Sequence, residues 1–332
     1  MPEFAVIPYT PEWAQRWDRF VMEGSQNGTF LQTRRFLSYH PAERFADASL
    51  MIAAENHELL AVIPAASSAG EGKPRFRSHP GSTFGGLVLS RQMTQAKRVI
   101  DFVTALDDAL SPLYSTCELK ITPQLFALSH TAALEYALFH RGYTQETEIA
   151  CYLPLANIDL ESLRAGYSAT KRYELKRCES KGLTFRQLIT RAELEAFYAL
   201  LCQTLQKFGA KPVHTLEELW DFIASRLRDE VRLLGVTDAA GKLVGGACLF
   251  YFAQTNTLHT QYLATDGSVK GYAPSAYLYD AVIRFALERG AANVSFGTST
   301  FEHGHVLNEG LIQNKEGFGC LHTLNRLYTK HY

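Results

Sequence analysis

The sequence predicts an α/β protein of the mixed-sheet (α+β) kind, built as one unit written twice. Three observations carry that expectation. The 332 residues are 46% apolar and 20% charged, enough apolar material for two cores and too much for bulk disorder. Hairpins are followed by a helix and then another strand, which is the order of a mixed sheet. That order recurs about 180 positions later. The formal charge of −1 excludes a general nucleic-acid coat but leaves room for one basic patch. The longest apolar run, Leu243 to Ala253, is far shorter than the ~20 residues a spanning helix needs, so no integral membrane segment is expected. The opening MPEFAVIPYTPEW lacks a basic and an apolar signal region. The six cysteines are widely spaced, with no C-x-x-C pair, as suits reduced thiols. A cytoplasmic protein is the expectation.

In the first copy, Thr10-Pro11 starts a helix with proline in its first turn, and Trp13–Glu23 is amphipathic. Leu50–Ala66 reads as strand, turn at Asn56-His57, strand. The stretch 67–82, rich in Gly, Ser and Pro, is expected as a mobile surface loop. Gln92–Leu110 has helical period, and Thr116–Ile121 and Tyr143–Leu155 read as strands. The second copy repeats the series. Capping boxes Thr190-x-x-Glu193 and Thr215-x-x-Glu218 mark helix starts, the first opening Glu193–Gly209. Arg232–Phe252 is a hairpin turning at Asp238–Gly241. Ser275–Arg289 is a helix with Ala281, Val282, Phe285 and Ala286 on its buried stripe and Gly290 as its stop. Asn293–Phe296 and Leu321–Tyr328 are its strands. A boundary near 156 divides the chain into units 1–156 and 157–332.

Chemistry concentrates in the second unit. Ser268-Val-Lys270-Gly271-Tyr272-Ala273 precedes a helix, where glycine lets backbone approach a ligand and free amides attract phosphate. This loop resembles the pyrophosphate turn of GNAT acyltransferases (Gln or Arg, two residues, Gly, one residue, Gly or Ala). Gly271 and Ala273 match, and Ser268 departs. The first-unit counterpart, Leu89-Ser-Arg-Gln-Met-Thr, has no glycine, so that unit is expected to be degenerate and to serve the acceptor side. The run Phe296–Gly319 holds five glycines with few packable side chains. Its Phe296-Gly297, Leu307-Asn308-x-Gly310-Leu311 and Lys315-Glu-Gly317-Phe318-Gly319 resemble the closing motif of FemAB-like proteins, which are tandem-GNAT-fold acyltransferases. His259-Thr-Gln261-Tyr262-Leu263, Gly209-x-Lys211-Pro212 and Gly28-Thr-Phe30-Leu-Gln32-Thr resemble other motifs of that group. Residues 156–190 leave space for one short helix only, so the coiled-coil arm of some of these enzymes is missing.

The resemblance implies two tandem GNAT-like units and transfer of an acyl group to an amine. Lys315 matches the lysine placed at the donor and the tetrahedral intermediate. Tyr262 and His259 are further catalytic candidates, and Lys270, Gly271, Tyr272 and Ala273 are candidates for binding the donor. Arg164–Arg186 carries seven basic residues against Glu174 and Glu179. Its helical spacing suits either a solvated face or an anion site. Arg172 and Lys176 there, with Gln32 and Asn308, are the acceptor-binding candidates. Glu302-His303-x-His305 lacks an evident third ligand, so no metal is expected. No tightly bound cofactor is expected either. The co-substrate is acyl-CoA, favoured by the phosphate loop and the missing arm, or aminoacyl-tRNA, favoured by the closing motif and the basic helix. The acceptor is a small-molecule or nucleotide-linked amine. A non-catalytic binding protein that kept the double fold is the remaining reading.

Overall fold

The computed structural model describes residues 4–332 apart from 42, 57 and 71, so His57 of the expected turn lies outside the described residues. The chain divides into two compact units. The first comprises residues 1–149 with Glu302–His305 and Thr323–Tyr332, and the second Ala150–Phe301 with Val306–His322. The sequence expectation of a single cut at 156 differs from this: two late segments rejoin the first unit, Leu327–His331 by pairing with Thr116–Lys120 and the Glu302–His305 turn by lying against Glu146 and Thr147.

In chain order the first half contains β1 (Ala5–Pro8), α1 (Ala14–Arg19), α2 (Arg34–Leu37), β2 (Ala46–Asp47), β3 (Leu50–Ala53), β4 (Leu59–Ile63), β5 (Ala65–Ser68), β6 (Arg75–Ser78), β7 (Val88–Leu89), α3 (Ala96–Leu110), β8 (Thr116–Lys120), α4 (Ala132–His140) and β9 (Thr144–Pro154). The second contains α5 (Leu160–Ala165), α6 (Ala169–Ser180), β10 (Thr184–Leu188), α7 (Arg191–Gln206), α8 (Leu216–Asp221), β11 (Val231–Thr237), β12 (Leu243–Phe252), β13 (Thr257–Thr265), α9 (Pro274–Glu288), β14 (Asn293–Thr298), β15 (Thr300–Phe301), β16 (Val306–Leu307), α10 (Glu309–Glu316) and β17 (Leu321–His331).

In the first unit, β1-β3-β4-β7 form an antiparallel sheet, and β6 runs parallel to β8, which pairs with β17. The β3 pleat sends Met51 against Trp17 and Val21, and Ile52 into a separate core with Phe76, Phe102 and Leu106. Helix α3 packs its Val99, Phe102, Val103 and Leu106 stripe into that core. Part of the 67–82 stretch is strand, not loop: in β6, Phe76 is fully buried between exposed or half-buried arginines. Thr10 precedes the first helical turn with Pro11 at its start, but its hydroxyl makes no capping bond. Both second-unit capping boxes form as the sequence predicts.

In the second unit the order is β10-β11-β12-β13-β14-β9, antiparallel except for the parallel β13–β14 pair. That parallel pairing lasts three residues, ending at His259 opposite Ser295. Just beyond, both strands bulge. The β12 register skips Gln261 on β13, and the β9 register skips Phe296 on β14. Bulges bend a strand and end pairing, so β13 runs on through Thr260–Thr265 with no β14 partner. A wedge opens between two adjacent parallel strands.

Candidate functional site

One wall of the wedge is a polar corner inside an apolar strand. At the β14 bulge Gly297 takes φ +68, a left-handed conformation that suits glycine, and a side chain there would reach the His259 ring. His259 Nδ1 lies 3.0 Å from Ser295 Oγ. Burial, reinforced by the charge of Lys315, pulls the His259 pKa down to about 4, so the ring is neutral at neutral pH. Lys315 reaches the corner from α10. Its Nζ donates to the carbonyls of Gly297 (2.9 Å) and Thr298 (2.8 Å) and to Ser299 Oγ (2.9 Å), and burial lowers its pKa to about 8. Ser299 Oγ also lies 3.7 Å from the Cys151 thiol, whose own pKa burial raises.

The closing motif assembles this corner. Asn308 Oδ1 caps α10 by accepting from Leu311 N–H, and the Asn308 N–H donates to Ser299 O. The Phe318 ring stacks on Tyr279 of α9, which stacks on Phe296 of β14. Gly317 O accepts from Ser168 N–H at the start of α6. Thus α10 is tied at both ends, and Lys315 projects inward.

Tyr262, past the bulge, faces elsewhere. Its hydroxyl accepts from the His214 N–H at 3.3 Å and lies 2.7 Å from His214 Nδ1, and burial raises its pKa. Between His259 and Tyr262, Gln261 is the bulged residue, which breaks the strand's alternation there.

At the end of β13, Asp266 accepts from Ser268 N–H and Oγ and pairs with Lys242, which together hold its carboxyl well below the usual range. Gly271 then takes φ +84, and the Arg177 guanidinium is the nearest group to where a side chain would point. Ala273 and Pro274 start α9 with no side-chain cap, leaving its first amides without that partner. Lys270 is exposed, and Tyr272 and Ala273 are half-buried. A cavity of about 590 Å³ opens beside this turn, with Gln203 of α7, Lys207 just after that helix, Lys242 and Gly267 among its walls.

The other candidates lie apart. Arg172 donates to the carbonyls of Ala165 and Tyr167, closing the end of α5, while Lys176 is exposed. Of the remaining basic run, Arg164 pairs with the buried Asp280, Lys171 with Glu174 and Arg186 with Glu193. Gln32 is fully buried in the first unit, where Oε1 accepts from Thr29 and Nε2 donates to Gly85 O and Thr122 Oγ1. It organises a loop and presents nothing to solvent. His303 faces Glu146 at 3.4 Å across an exposed turn. Sequence reading missed Ser295, Ser299, Cys151, His214 and Lys207. A serine within an otherwise apolar strand was the available signal for Ser295.

The first unit also has a parallel pair, β6 with β8, and there the opening is closed by its own chain. The Gly85 N–H donates to Lys120 O, Ser78 Oγ accepts from Lys120 N–H, and Gly86 at φ +53 packs on Ile121. A side chain on Gly86 would meet Ile121 Cα at 2.6 Å.

Residues 165–304 match the GNAT acetyltransferase domain family. Among solved structures, FemX superposes with a TM-score of 0.68 at 12% identity, covering 98% of this chain and 96% of its own. A tandem GNAT protein from the clavulanic acid biosynthesis pathway gives 0.57 at 12% identity, with 99% and 98% covered. The chain carries a tandem GNAT fold. L-PGS from Bacillus licheniformis shares it at a TM-score of 0.58 and 12% identity, covering 96% of this chain and 91% of its own. No curated protein sequence matches the chain. Within this GNAT-type acyltransferase fold, among the described residues no helix is long and apolar enough to cross a membrane.

Proposed function

We propose that the chain is an N-acyltransferase that takes acyl-CoA in the second unit and transfers the acyl group to a small-molecule or nucleotide-linked amine. The parting of β13 and β14 carries this reading. Backbone groups that end a ladder without a partner need one, and a donor with an amide-bearing arm supplies it along Thr260–Thr265. Its phosphates meet the uncapped amides of α9 beside Gly271–Ala273, with Lys270 and Arg177 adding charge. The amine attacks the thioester carbonyl, the C–N bond forms, the C–S bond breaks, and the amine loses a proton. Holding both reactants in line supplies most of the rate. Neutral His259 serves as an acceptor of that proton and Lys315 as the positive charge near the developing oxyanion, while the leaving thiolate takes a proton from solvent and Tyr262, turned toward His214, has no part in the step. The closed opening in the first unit supports a single donor site per chain.

A second reading, aminoacyl-tRNA as donor, is favoured by Lys176 and Lys181, which make no ion pair among the described residues on an exposed face of α6 and its end. Calorimetric titration of the purified chain with CoA, beside native mass spectrometry for co-purifying ligands, separates the two. Saturable CoA binding supports the first. No CoA binding together with salt-dependent tRNA binding moves the donor to the second, and binding of neither would leave a fold without this activity.

A further inference from the structure

At the far end of α9 from the phosphate loop, the second unit holds a separate cavity of about 380 Å³, within the size range of small-ligand pockets. Its floor is apolar, made by the buried Leu258, Ala286 and Ala291. Arg232 and Arg289 line it from β11 and from the end of α9. Their partners set them apart from the ion-paired cations of this unit. Arg164, Lys171, Arg186, Arg191, Arg226 and Lys242 each face a carboxylate. Arg232 donates only to the carbonyls of Arg228 and Val231, and Arg289 only to the Gln187 amide oxygen; neither has an ion pair among the described residues. Burial and the charge of Arg289 lower the Arg232 pKa against the opposing pull of Asp229 and Glu230, so two like charges share one cavity wall.

The wall is fixed in place. Asn256, at φ +47, donates from Nδ2 to Gly290 O, and its Oδ1 accepts from the Tyr251 hydroxyl, while Ala292 N–H donates to Asn256 O. Two guanidiniums over an apolar floor, neither of them ion-paired among the described residues, leave donors free for an anionic ligand.

We propose that this cavity binds a small monocarboxylate with an apolar body, its carboxylate held by Arg232 and Arg289 and its body on Leu258, Ala286 and Ala291. Guanidiniums match carboxylate geometry. Asp229 on the same lining repels added negative charge, which disfavours a phosphate dianion and selects a monoanion. The site lies a helix length, roughly 22 Å, from the phosphate loop, so it is separate from the donor wedge and does not depend on the proposed reaction.

The test is calorimetric titration of the full chain with isovalerate, phenylacetate and inorganic phosphate, repeated with Arg232→Gln and Arg289→Gln. The expected result is one saturable carboxylate site, tighter for a carboxylate than for phosphate, weakened about tenfold or more in either variant. Removing one of two like charges should also leave the ligand-free melting temperature of Arg289→Gln unchanged or raised. No saturable carboxylate binding, equal binding in the variants, or tighter binding of phosphate would overturn the proposal. So would a lowered melting temperature of Arg289→Gln, since the pair would then serve packing. Arg289→Gln carries the test if Arg232→Gln fails to fold.

Discussion

At Lys315 three acceptors surround one ammonium in a place where only 2% of the residue is exposed. Lys315→Met leaves two carbonyls and a hydroxyl short of a donor, and each buried unsatisfied group costs about 1–3 kcal/mol. The variant should therefore melt several degrees lower, and, with the charge lost from the transition state, turn over about 10²-fold more slowly. A scanning-calorimetry trace that overlays wild type would show that the Nζ bonds contribute nothing. The pH dependence has a defined sign. Unfolded lysine keeps its proton to about 10.5 and the folded one releases it at about 8, so stability should rise between those values, and the rise should vanish in Lys315→Met. His259 works the same way lower down. The unfolded ring takes a proton below about 6.5 and the folded ring only near 4, so stability falls as pH drops through that window. Urea titrations at pH 7 and 4.5 should show a smaller loss for His259→Gln than for wild type, and an equal loss would assign the acid sensitivity elsewhere. Lys315 was reachable from sequence because its glycine-flanked motif is contiguous. Gln32 and Arg172 were not, because their roles depend on backbone oxygens that folding delivers: Gly85 O is 53 residues from Gln32.

The turn before α9 shows why the substitution has to be chosen on geometry. At φ +84, Gly271 gives any side chain a strain of about 1–2 kcal/mol whatever the ligand does. Gly271→Ala and Gly271→Glu share that strain, but only Glu adds a carboxylate where phosphate is proposed to sit. CoA affinity should fall at least tenfold further in Glu than in Ala, and equal losses would make backbone shape, not anion binding, the reason for the glycine. For α6, the set Arg172, Lys176 and Arg177 is not a uniform face, since Arg172 closes α5. The salt test belongs on Lys176 and Arg177. If tRNA is a ligand, the log-affinity slope should flatten by about one unit per lost phosphate contact in Lys176→Ala and Arg177→Ala, and an unchanged slope leaves a solvated helix. Periodicity found α9 to within a residue and α3 and α7 to within four, because each buries a regular stripe. It missed β6, whose four residues are too few to show a period, and the bulges at Gln261 and Phe296, which have no local sequence mark.

For the whole chain, the order of elements was legible in both halves because hairpin, helix and strand each leave a periodic trace at similar spacing. The membership of the late segments was not, since periodicity says what a strand is and not which strand it pairs with. That distinction decides where the chain can be cut. Residues 1–156 include β8 but lack the part of β17 that pairs with it, Leu327–His331 against Lys120–Thr116. They also lack Lys330 and Tyr332, whose Nζ and hydroxyl donate to Asp107, a carboxylate 3% exposed. Loss of these donors leaves Asp107 with Arg141 and Tyr143 alone and uncovers the β8 edge and Tyr328's place in the core. Residues 157–332 conversely lack the β9 residues Ala150–Pro154 that pair with β14. Neither fragment should give a cooperative thermal transition by circular dichroism, although each contains most of a unit. Joining 323–332 to the end of 1–156 through a flexible linker should restore cooperativity to the first. A cooperative melt of 1–156 on its own would mean that β17 is dispensable to that core, and the division of the chain would then lie at 156 after all.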